Sequence, residues 1–346
     1  MRLLNGCNTY TLVPMRVVEI GQNNCDEVPY GDDGGKRVNT DNVSQSQLSN
    51  ELLDIDDGIS VEEKRFQKEP VKLVIAFLML VLSAVINLLA LAWIHDRVPA
   101  SSPLPDLFFR IFPHFPRALD FSEYFILFNS LAMFFLCFIH KYRWMVLRRV
   151  FFISSLLYLG RSVCLLVTQV PVADTTYVCS PKLNVTTIAV VFSRASHLFF
   201  GVGLNISGRY TLCGDYIYSG HTVVLILAYL VVKEYSPTRF WIFHWITWLV
   251  SLAGIFCLLI SHGHYSVDVV IAYFITTRTF WLYHTLADSV CFKEYPQHNR
   301  FSRAWWFMLF QYMESNAGCP IPKIIEWPLS WKRCKKILNL PTRYMY

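Results

Sequence analysis

The chain has 346 residues, of which 54% are hydrophobic, and its mean hydropathy is positive. Only 16% of its residues are charged, against about 25% in an average soluble domain, so the composition excludes an ordinary water-soluble globular protein and indicates a membrane protein. The net charge is +6, and because the basic residues lie between and beside apolar stretches, they favour anchoring at a membrane surface over nucleic-acid binding.

Residues 1–69 are polar and rich in Asn, Asp, Ser and Gly, which predicts a disordered cytosolic tail. One part of this tail, "SNELLDIDDGISVEEKRF", is compatible with a short amphipathic helix. The N-terminus lacks the long apolar core of a cleavable signal peptide. We therefore expect the first apolar stretch to direct insertion into the membrane.

Six apolar stretches follow, the sixth weaker than the rest, and a helical span needs about 20 such residues. They predict an all-α polytopic membrane protein with six transmembrane helices, at 73–94, 123–139, 150–170, about 216–232, 240–260 and 266–283. A further stretch, 186–204, holds Arg194 and His197 near its middle. A charge at the bilayer centre costs at least about 2.5 kcal/mol, so we expect this stretch to be interfacial or re-entrant. The six-span membrane domain then covers 70–284, and 285–346 is a basic cytosolic tail.

Lys and Arg flank four of the predicted connections and ends, in "EEKRFQKEPVK", "KYRWMVLRR", the 233–239 turn and "WKRCKKILNLPTRYMY". Six spans place all four on one side, which the positive-inside rule makes cytosolic, together with both termini. The connection "SHGHY" between spans five and six has no Lys or Arg and lies on the other face.

Three groups of residues on these faces are candidates for covalent modification. Asn184 belongs to a lumenal N-x-T sequon, which is either glycosylated or a chance match. Cys179 and Cys213 share the oxidising side, where a disulfide is permitted. The tail thiols that are candidates for palmitoylation, with unmodified thiols as the alternative, are Cys291, Cys319 and Cys334.

Two histidines are predicted to meet on the face opposite the basic connections. His221 stands at the start of span four and His264 at the end of span five, separated by two crossings and a short turn, so both rings should lie at one depth. Asp268 follows His264 by four residues, which places the two on one face of a helix. A carboxylate beside an imidazole fixes its tautomer and leaves the other ring nitrogen free to act as a nucleophile or base.

Two imidazoles and a carboxylate without a metal-ligand cluster suit phosphoryl-type transfer through a phosphohistidine. One His attacks phosphorus, Asp268 supports it, and the other His protonates the leaving alkoxide. Acyl transfer is the alternative, because Ser219 lies two residues before His221. That alternative leaves the H-x-x-x-D unit without a role.

These residues belong to longer strings that resemble the lipid phosphate phosphatase superfamily and, within it, the sphingomyelin synthase family. "CGDYIYSGHT" (213–222) is similar to the family's C-G-D-x-x-x-S-G-H-T block, and "HYSVDVVIAYFITTRTFWLYH" (264–284) to its H-Y-[ST]-x-D-V block. Shorter matches are "PLPD" (103–106), "SRAWW" (302–306) and "WPLSW" (327–331). The resemblance covers about 70–341.

The resemblance implies transfer of phosphocholine from phosphatidylcholine to the primary hydroxyl of ceramide, giving sphingomyelin and diacylglycerol. His264 is then the nucleophile, Asp268 its support, and His221 the acid and base. The implied partners are these two lipids and the bilayer, with no nucleic acid, no cofactor and no metal, and a homo-oligomer is left open. The implied location is the Golgi or the plasma membrane, with the site facing the lumen or exterior.

The resemblance also suggests residues that bind substrate. "LLYLGRSVC" resembles a family stretch Y-x-x-R-x-x-T, in which Tyr158 and Arg161 match and Cys164 replaces the Thr. Arg161 either stabilises phosphate charge or is paired structurally. The further candidates for substrate binding are Ser219, Asp215 and Tyr265. A choline cage would need aromatic side chains, and those close to the triad in sequence are Tyr216, Tyr218 and Tyr265.

Other functions remain open at this stage. The nearest is a ceramide phosphoethanolamine synthase or a bifunctional enzyme; the tail lacks the pattern of a sterile alpha motif domain, which favours the sphingomyelin branch. A lipid phosphate phosphatase, with water as acceptor, comes next. A non-enzymatic lipid transporter is the alternative of a different class.

Overall fold

A computed structural model describes residues 68–327 apart from 175, 177–178, 184–185, 201–211, 290–291, 293–298 and 318–319. Within these residues the chain is mostly helical and forms no strand, only an isolated bridge between His140 and Ile325. Residues 1–67 of the predicted tail, the sequon residue Asn184 and the three tail thiols lie outside the described residues.

Six long helices coincide with the six predicted spans. They are α1 (Pro70–Ile94), α3 (Ala118–Ile139), α4 (Arg143–Val167), α6 (Gly220–Tyr235), α7 (Trp241–Ile260) and α8 (Ser266–Asp288). The shorter helices are α2 (Leu107–Ile111), α5 (Ile188–Phe200) and α9 (Phe307–Glu314). We call the end of the bundle where α6 and α8 begin the site end, and the end where α1 and α4 begin the opposite end.

Four of the long helices are long and apolar enough to cross a membrane, judged by length and composition over the described residues: α1, α3, α4 and α7. Helix α6 has 16 residues, and α8 has 23 but carries Asp268 and Arg278. The number of six spans, and the side on which the termini lie, therefore stay predictions. Helix α5 falls in the stretch predicted to be interfacial, and its 13 residues are shorter than the roughly 20 that a span needs.

The helices pack in the manner of membrane bundles, through small and hydrogen-bonded residues. Helix α1 lies along α4, and α6 is enclosed by α3, α4, α7 and α8. A Cβ atom added at Gly254 of α7 would lie 2.8 Å from Leu225 of α6, so this glycine permits the close approach of the two helices. Ser251 donates to the Leu225 carbonyl at 3.0 Å, and Asn129 of α3 donates to Ser251 at 2.8 Å.

At the opposite end, a buried ion pair fastens α9 to the bundle. Arg149 donates from Nε and a terminal nitrogen to the two carboxylate oxygens of Glu314, at 3.1 and 2.7 Å. Tyr283 of α8 donates its hydroxyl to the same carboxylate at 2.8 Å. Arg149 and Glu314 are both essentially inaccessible to solvent. We call these three residues the clasp.

Candidate active site

The start of α6 is fixed by its own sequence. Ser219 precedes the helix, and its Oγ accepts a hydrogen bond from the Thr222 N–H at 3.3 Å, which is the usual work of an N-cap serine. The Ser219 side chain is fully buried. Ser219 therefore serves as a helix cap, and His221 becomes the second residue of the helix, at the site end.

The start of α8 is organised around Asp268, which is fully buried. One carboxylate oxygen accepts from the Tyr265 N–H at 3.0 Å and faces His264 Nδ1 at 3.3 Å. The other accepts from the Ile217 N–H at 2.8 Å. A protonated Nδ1 would donate to this carboxylate and leave Nε2 of His264 with a free lone pair.

Ile217 holds a strained backbone to make that contact. Its φ is +73°, a value that is a genuine outlier for a β-branched residue. Strain of this kind costs about 1–3 kcal/mol and persists only where the surroundings impose it. The hydrogen bond from Ile217 ties the loop before α6 to the carboxylate of Asp268 in α8. The sequence analysis did not predict this contact.

The structure brings the two predicted histidines together. Their ring centroids are 5.7 Å apart with planes inclined at 64°. His264 is buried and His221 is half-buried. Within the described residues, Nε2 of His221 has no hydrogen-bond partner. One imidazole is therefore held by a carboxylate, and the neighbouring one has a nitrogen free to exchange a proton.

Arg161 of α4 reaches the same place from another side. Its Nε donates to the Tyr218 carbonyl at 3.0 Å, and its terminal nitrogens donate to Asn87 of α1 and to Asp215. A Cβ atom added at Gly220 would lie 3.2 Å from three guanidinium atoms, so glycine leaves room for the arginine to lie closely against the start of α6. The structural pairing expected as one role of Arg161 is present, and its role in stabilising phosphate charge stays a prediction.

Asn87 was missed by the sequence analysis, although an amide in the middle of an apolar span is a signal that could have found it. It is buried, accepts from Arg161, and donates to Ser162 at 3.2 Å. A buried amide that is hydrogen-bonded on both sides fixes the position of its partners. Asn87 thus connects α1 to the guanidinium.

Asp215 lies among the charges of the site, with its side chain 28% exposed. Burial alone would raise its pKa, but the charge of Arg161, followed by those of His264 and His221, lowers the pKa below its ordinary value. The carboxylate therefore stays ionised beside both rings. Tyr158 lies within electrostatic reach of Arg161 and Asp215, so all three of these predicted residues share one region.

Two of the three tyrosines near the triad, Tyr216 and Tyr265, are used structurally at their hydroxyl groups, whereas the buried Tyr218 hydroxyl has no hydrogen-bond partner within the described residues. Tyr265 accepts from the Leu104 N–H at 3.0 Å and donates to the Pro171 carbonyl at 3.1 Å, while Tyr216 accepts from the Ala173 N–H at 3.1 Å. The Tyr216 ring lies 6.0 Å from the His264 ring and 5.5 Å from the Tyr265 ring. These rings form a wall beside His264, and the substrate-binding role expected for Tyr265 stays a prediction.

A disulfide closes the loop that leads into α6. Cys179 is bonded to Cys213, the pairing that the sequence permitted. The buried His95 ring accepts from the Cys213 N–H at 2.9 Å and donates to the Ser180 carbonyl at 3.1 Å, so it holds both half-cystine segments at the end of α1. In the part of the chain that the structure describes, no three His, Cys, Asp or Glu side chains are grouped so as to hold a metal ion.

Known proteins are similar to this chain both over the segment that contains the site and over most of its length. Residues 212–285, which contain both histidines and Asp268, match the family described as PAP2 superfamily C-terminal. Over 78% of this chain, identity is 41% to phosphatidylcholine:ceramide cholinephosphotransferase 1 of Caenorhabditis elegans and 42% to that of Homo sapiens, of which the chain spans 58% and 66% of the length. Identity is also 42% to phosphatidylcholine:ceramide cholinephosphotransferase 2 of Mus musculus, of which the chain covers 74%. Because the match to the mouse protein extends over most of both chains, this chain belongs to the phosphatidylcholine:ceramide cholinephosphotransferase family.

Proposed function

We propose that this protein transfers phosphocholine from phosphatidylcholine to the primary hydroxyl of ceramide, releasing diacylglycerol and forming sphingomyelin. The observation that carries the proposal is the contact of a carboxylate-held imidazole with a second imidazole that has a free nitrogen. Family membership supports the choice of lipids, since the relatives are named for this donor, acceptor and headgroup.

In the first half-reaction, Nε2 of His264 attacks the phosphorus of phosphatidylcholine. The bond between phosphorus and the diacylglycerol oxygen breaks, and His221 gives its proton to that oxygen. Asp268 supports the positive charge that develops on His264, because its oxygen faces Nδ1 at 3.3 Å. The products of this step are diacylglycerol, a phosphocholine-histidine and a neutral His221.

In the second half-reaction, His221 acts as a base. It takes the proton of the ceramide hydroxyl while the hydroxyl oxygen attacks phosphorus, and the nitrogen–phosphorus bond to His264 breaks. Sphingomyelin leaves, and both rings return to their starting protonation states. Arg161 is the nearby cation that would stabilise the phosphoryl oxygens, and Asp215 holds its guanidinium at the site.

We further propose six spans, with both termini cytosolic and the site end facing the lumen or exterior. The Cys179–Cys213 disulfide supports this orientation, because disulfides persist on the oxidising side of a membrane. Residence in the Golgi or the plasma membrane stays a prediction.

The test is a donor-swap assay with purified protein in vesicles of defined lipids. Labelled ceramide is supplied with phosphatidylcholine or with phosphatidylethanolamine as the only donor, and products are separated by mass. We expect sphingomyelin from phosphatidylcholine and little product from phosphatidylethanolamine. Ceramide phosphoethanolamine as the main product, or free phosphocholine without sphingomyelin, would contradict the proposal. The matched controls are His264→Ala, which removes the nucleophile, and His244→Ala at the opposite end, which leaves it in place.

A further inference from the structure

The connection between α1 and α3 carries an exposed apolar face that no spanning helix explains. Three residues at four-residue intervals point outward in or beside α2: Leu107 is 73% exposed, Ile111 is 63% and Phe115 is 49%. Leu107 and Ile111 are four residues apart within α2, which places them on one side of the helix, and Phe115 is exposed beyond its end. We call residues 103–116 the strap.

The exposed face of the strap continues the apolar surface of α7. Phe108 and Phe112, on the inner side of α2, pack against Phe256 with ring centroids 6.0 and 5.5 Å apart. Phe256 is 45% exposed, and Leu249 and Leu252, which lie earlier in α7, are exposed to similar extents. Helix α7 is apolar enough to cross a membrane, so the strap lies where its lipid-facing surface reaches the site end.

The inner side of the strap contacts the start of α8. Asp106 accepts from the Ser266 N–H and from the Ser266 hydroxyl, each at 2.8 Å, and also caps α2 by accepting from the Phe108 N–H at 2.8 Å. The Leu104 N–H donates to the Tyr265 hydroxyl at 3.0 Å. Both anchors lie between His264 and Asp268 in the sequence.

Phe109 adds a contact to the loop that carries His264. Its ring stacks on His262 at 4.1 Å and lies 5.7 Å from the Tyr265 ring. The φ of His262 is +52°, a left-handed value that costs energy for a residue other than glycine, so the contacts around His262 must hold its backbone in place. The strap therefore touches the chain on both sides of the predicted nucleophile.

We propose that the strap inserts Leu107, Ile111 and Phe115 into the leaflet at the site end and that Asp106 transmits this anchorage to α8, so that membrane engagement positions the His264–Asp268 pair. The lipid leaflet fits as the partner because the apolar stripe continues the surface of α7. Arg110 and Arg117 are exposed beside the stripe, where they can meet lipid phosphates. The catalytic part of this inference depends on the proposed transferase function, whereas the insertion itself does not.

The insertion is tested directly with an environment-sensitive dye on Ile111→Cys in vesicles. Arg110→Cys is the matched control, because it is the neighbouring exposed residue and lies outside the stripe. We expect the dye at 111 to be quenched by lipids brominated near the top of their chains, and the dye at 110 to be quenched by aqueous iodide. Unsubstituted protein labelled in parallel gives the background from native thiols. Iodide quenching of position 111 equal to that of 110 would overturn the proposal.

The coupling to α8 is tested by activity in the same vesicles. We expect Ile111→Asp and Asp106→Ala each to lower kcat about tenfold with little change in the KM for ceramide. The reason is that each substitution displaces the start of α8 but leaves the pocket that binds ceramide in place. Asp106→Asn keeps one acceptor oxygen and should recover part of the loss. The double variant Ile111→Asp/Asp106→Ala should lose no more than the worse single variant, because both break one connection.

Multiplicative losses in the double variant would overturn the coupling. The Cys179–Cys213 disulfide and the thermal midpoint report whether each variant is folded. If wild-type protein makes no sphingomyelin, the proposed function fails, while the quenching result still decides whether the strap inserts.

Discussion

The two ends of the bundle each bury charged side chains, but they leave them in different states. At the opposite end, Arg149 and Glu314 bind each other through two parallel hydrogen bonds. At the site end, Asp268 holds one face of His264, while the nearby His221 keeps Nε2 without a partner within the described residues. Both oxygens of the Glu314 carboxylate are paired and hold helices together, whereas His221 keeps a ring nitrogen available to react.

The carboxylates at the two ends also differ in the charged groups that lower their pKa values. Burial alone would raise the pKa of Glu314, but Arg149, followed by Arg148 and Tyr283, lowers it to about 2, so the carboxylate stays ionised among these partners. The pKa of Asp215 is also lowered, by Arg161 and then by the two histidines. The Asp215 carboxylate thus faces groups whose protonation would change during a reaction. The comparison teaches that a buried charge indicates function only when its partners are free to change.

The largest expected effect comes from His221→Ala. Removing the acid and base of both half-reactions should lower kcat by about a hundredfold to ten-thousandfold. The thermal midpoint should stay close to that of wild type, because Nε2 makes no hydrogen bond that the substitution would break. Vesicle transfer assays and thermal unfolding measure the two quantities. A destabilised variant, or one that retains more than a tenth of the activity, would contradict the distinction between the ends.

Glu314→Leu should show the reverse pattern. It leaves Arg149 buried without its partner, which costs about 3–5 kcal/mol of the free energy of unfolding. The fraction that folds should keep the wild-type KM, since α9 lies at the other end. The control is the double variant Arg149→Met/Glu314→Leu, in which an apolar pair should restore most of the stability. Equal destabilisation of the single and double variants would argue against the clasp.

Asn87→Ala, at the site end, should lower both activity and stability by intermediate amounts. Arg161 keeps Asp215 but loses one of its fixed acceptors, so we expect kcat to fall about tenfold and the free energy of unfolding by about 1–3 kcal/mol. Ser162→Ala is the matched control, because it removes the bond on the far side of the amide, together with the Ser162 bond to the Tyr158 carbonyl in its own helix, and leaves the bond from Arg161 to Asn87 in place. A loss in Ser162→Ala as large as in Asn87→Ala would assign Asn87 to packing alone.

The sequence predicted the elements of the site whose spacing is set by the membrane. His221 returns to His264 after one pair of crossings, so the meeting of the two rings follows from chain geometry. The expected shared helical face of His264 and Asp268 is wrong, because His264 precedes α8 by two residues; Asp268 reaches it by folding back over the start of the helix, where it also accepts from the Tyr265 N–H. The permitted Cys179–Cys213 pairing is also present.

The elements that the sequence did not predict depend on contacts between distant segments. Asn87 meets Arg161 because α1 lies along α4, and neither residue carries a local sign of the other. The hydrogen bond from the Leu104 N–H to the Tyr265 hydroxyl joins the strap to α8, and no local pattern in either segment indicates it. Glu314 lies in a stretch without a motif, and its pairing with Arg149 follows only from the docking of α9.

Lowering the pH should reduce the stability contributed by the two ends to different extents, and the difference should be small but measurable. Burial alone would raise the pKa of Asp106, but its bonds from Ser266 and the start of α2 lower it, so its contribution to stability is present above the ordinary Asp range and is lost as pH falls through the lowered value. The clasp follows the same sign, but its contribution falls progressively from the ordinary Glu value of 4.5 to the lowered value of about 2, so part of it remains throughout this range. Thermal midpoints of wild type and Asp106→Asn should therefore converge as pH falls below about 4, while wild type stays more stable than Glu314→Leu. Convergence of Glu314→Leu with wild type in that range would show that the two ends respond to acid alike, and the contrast between them would then have to rest on activity alone.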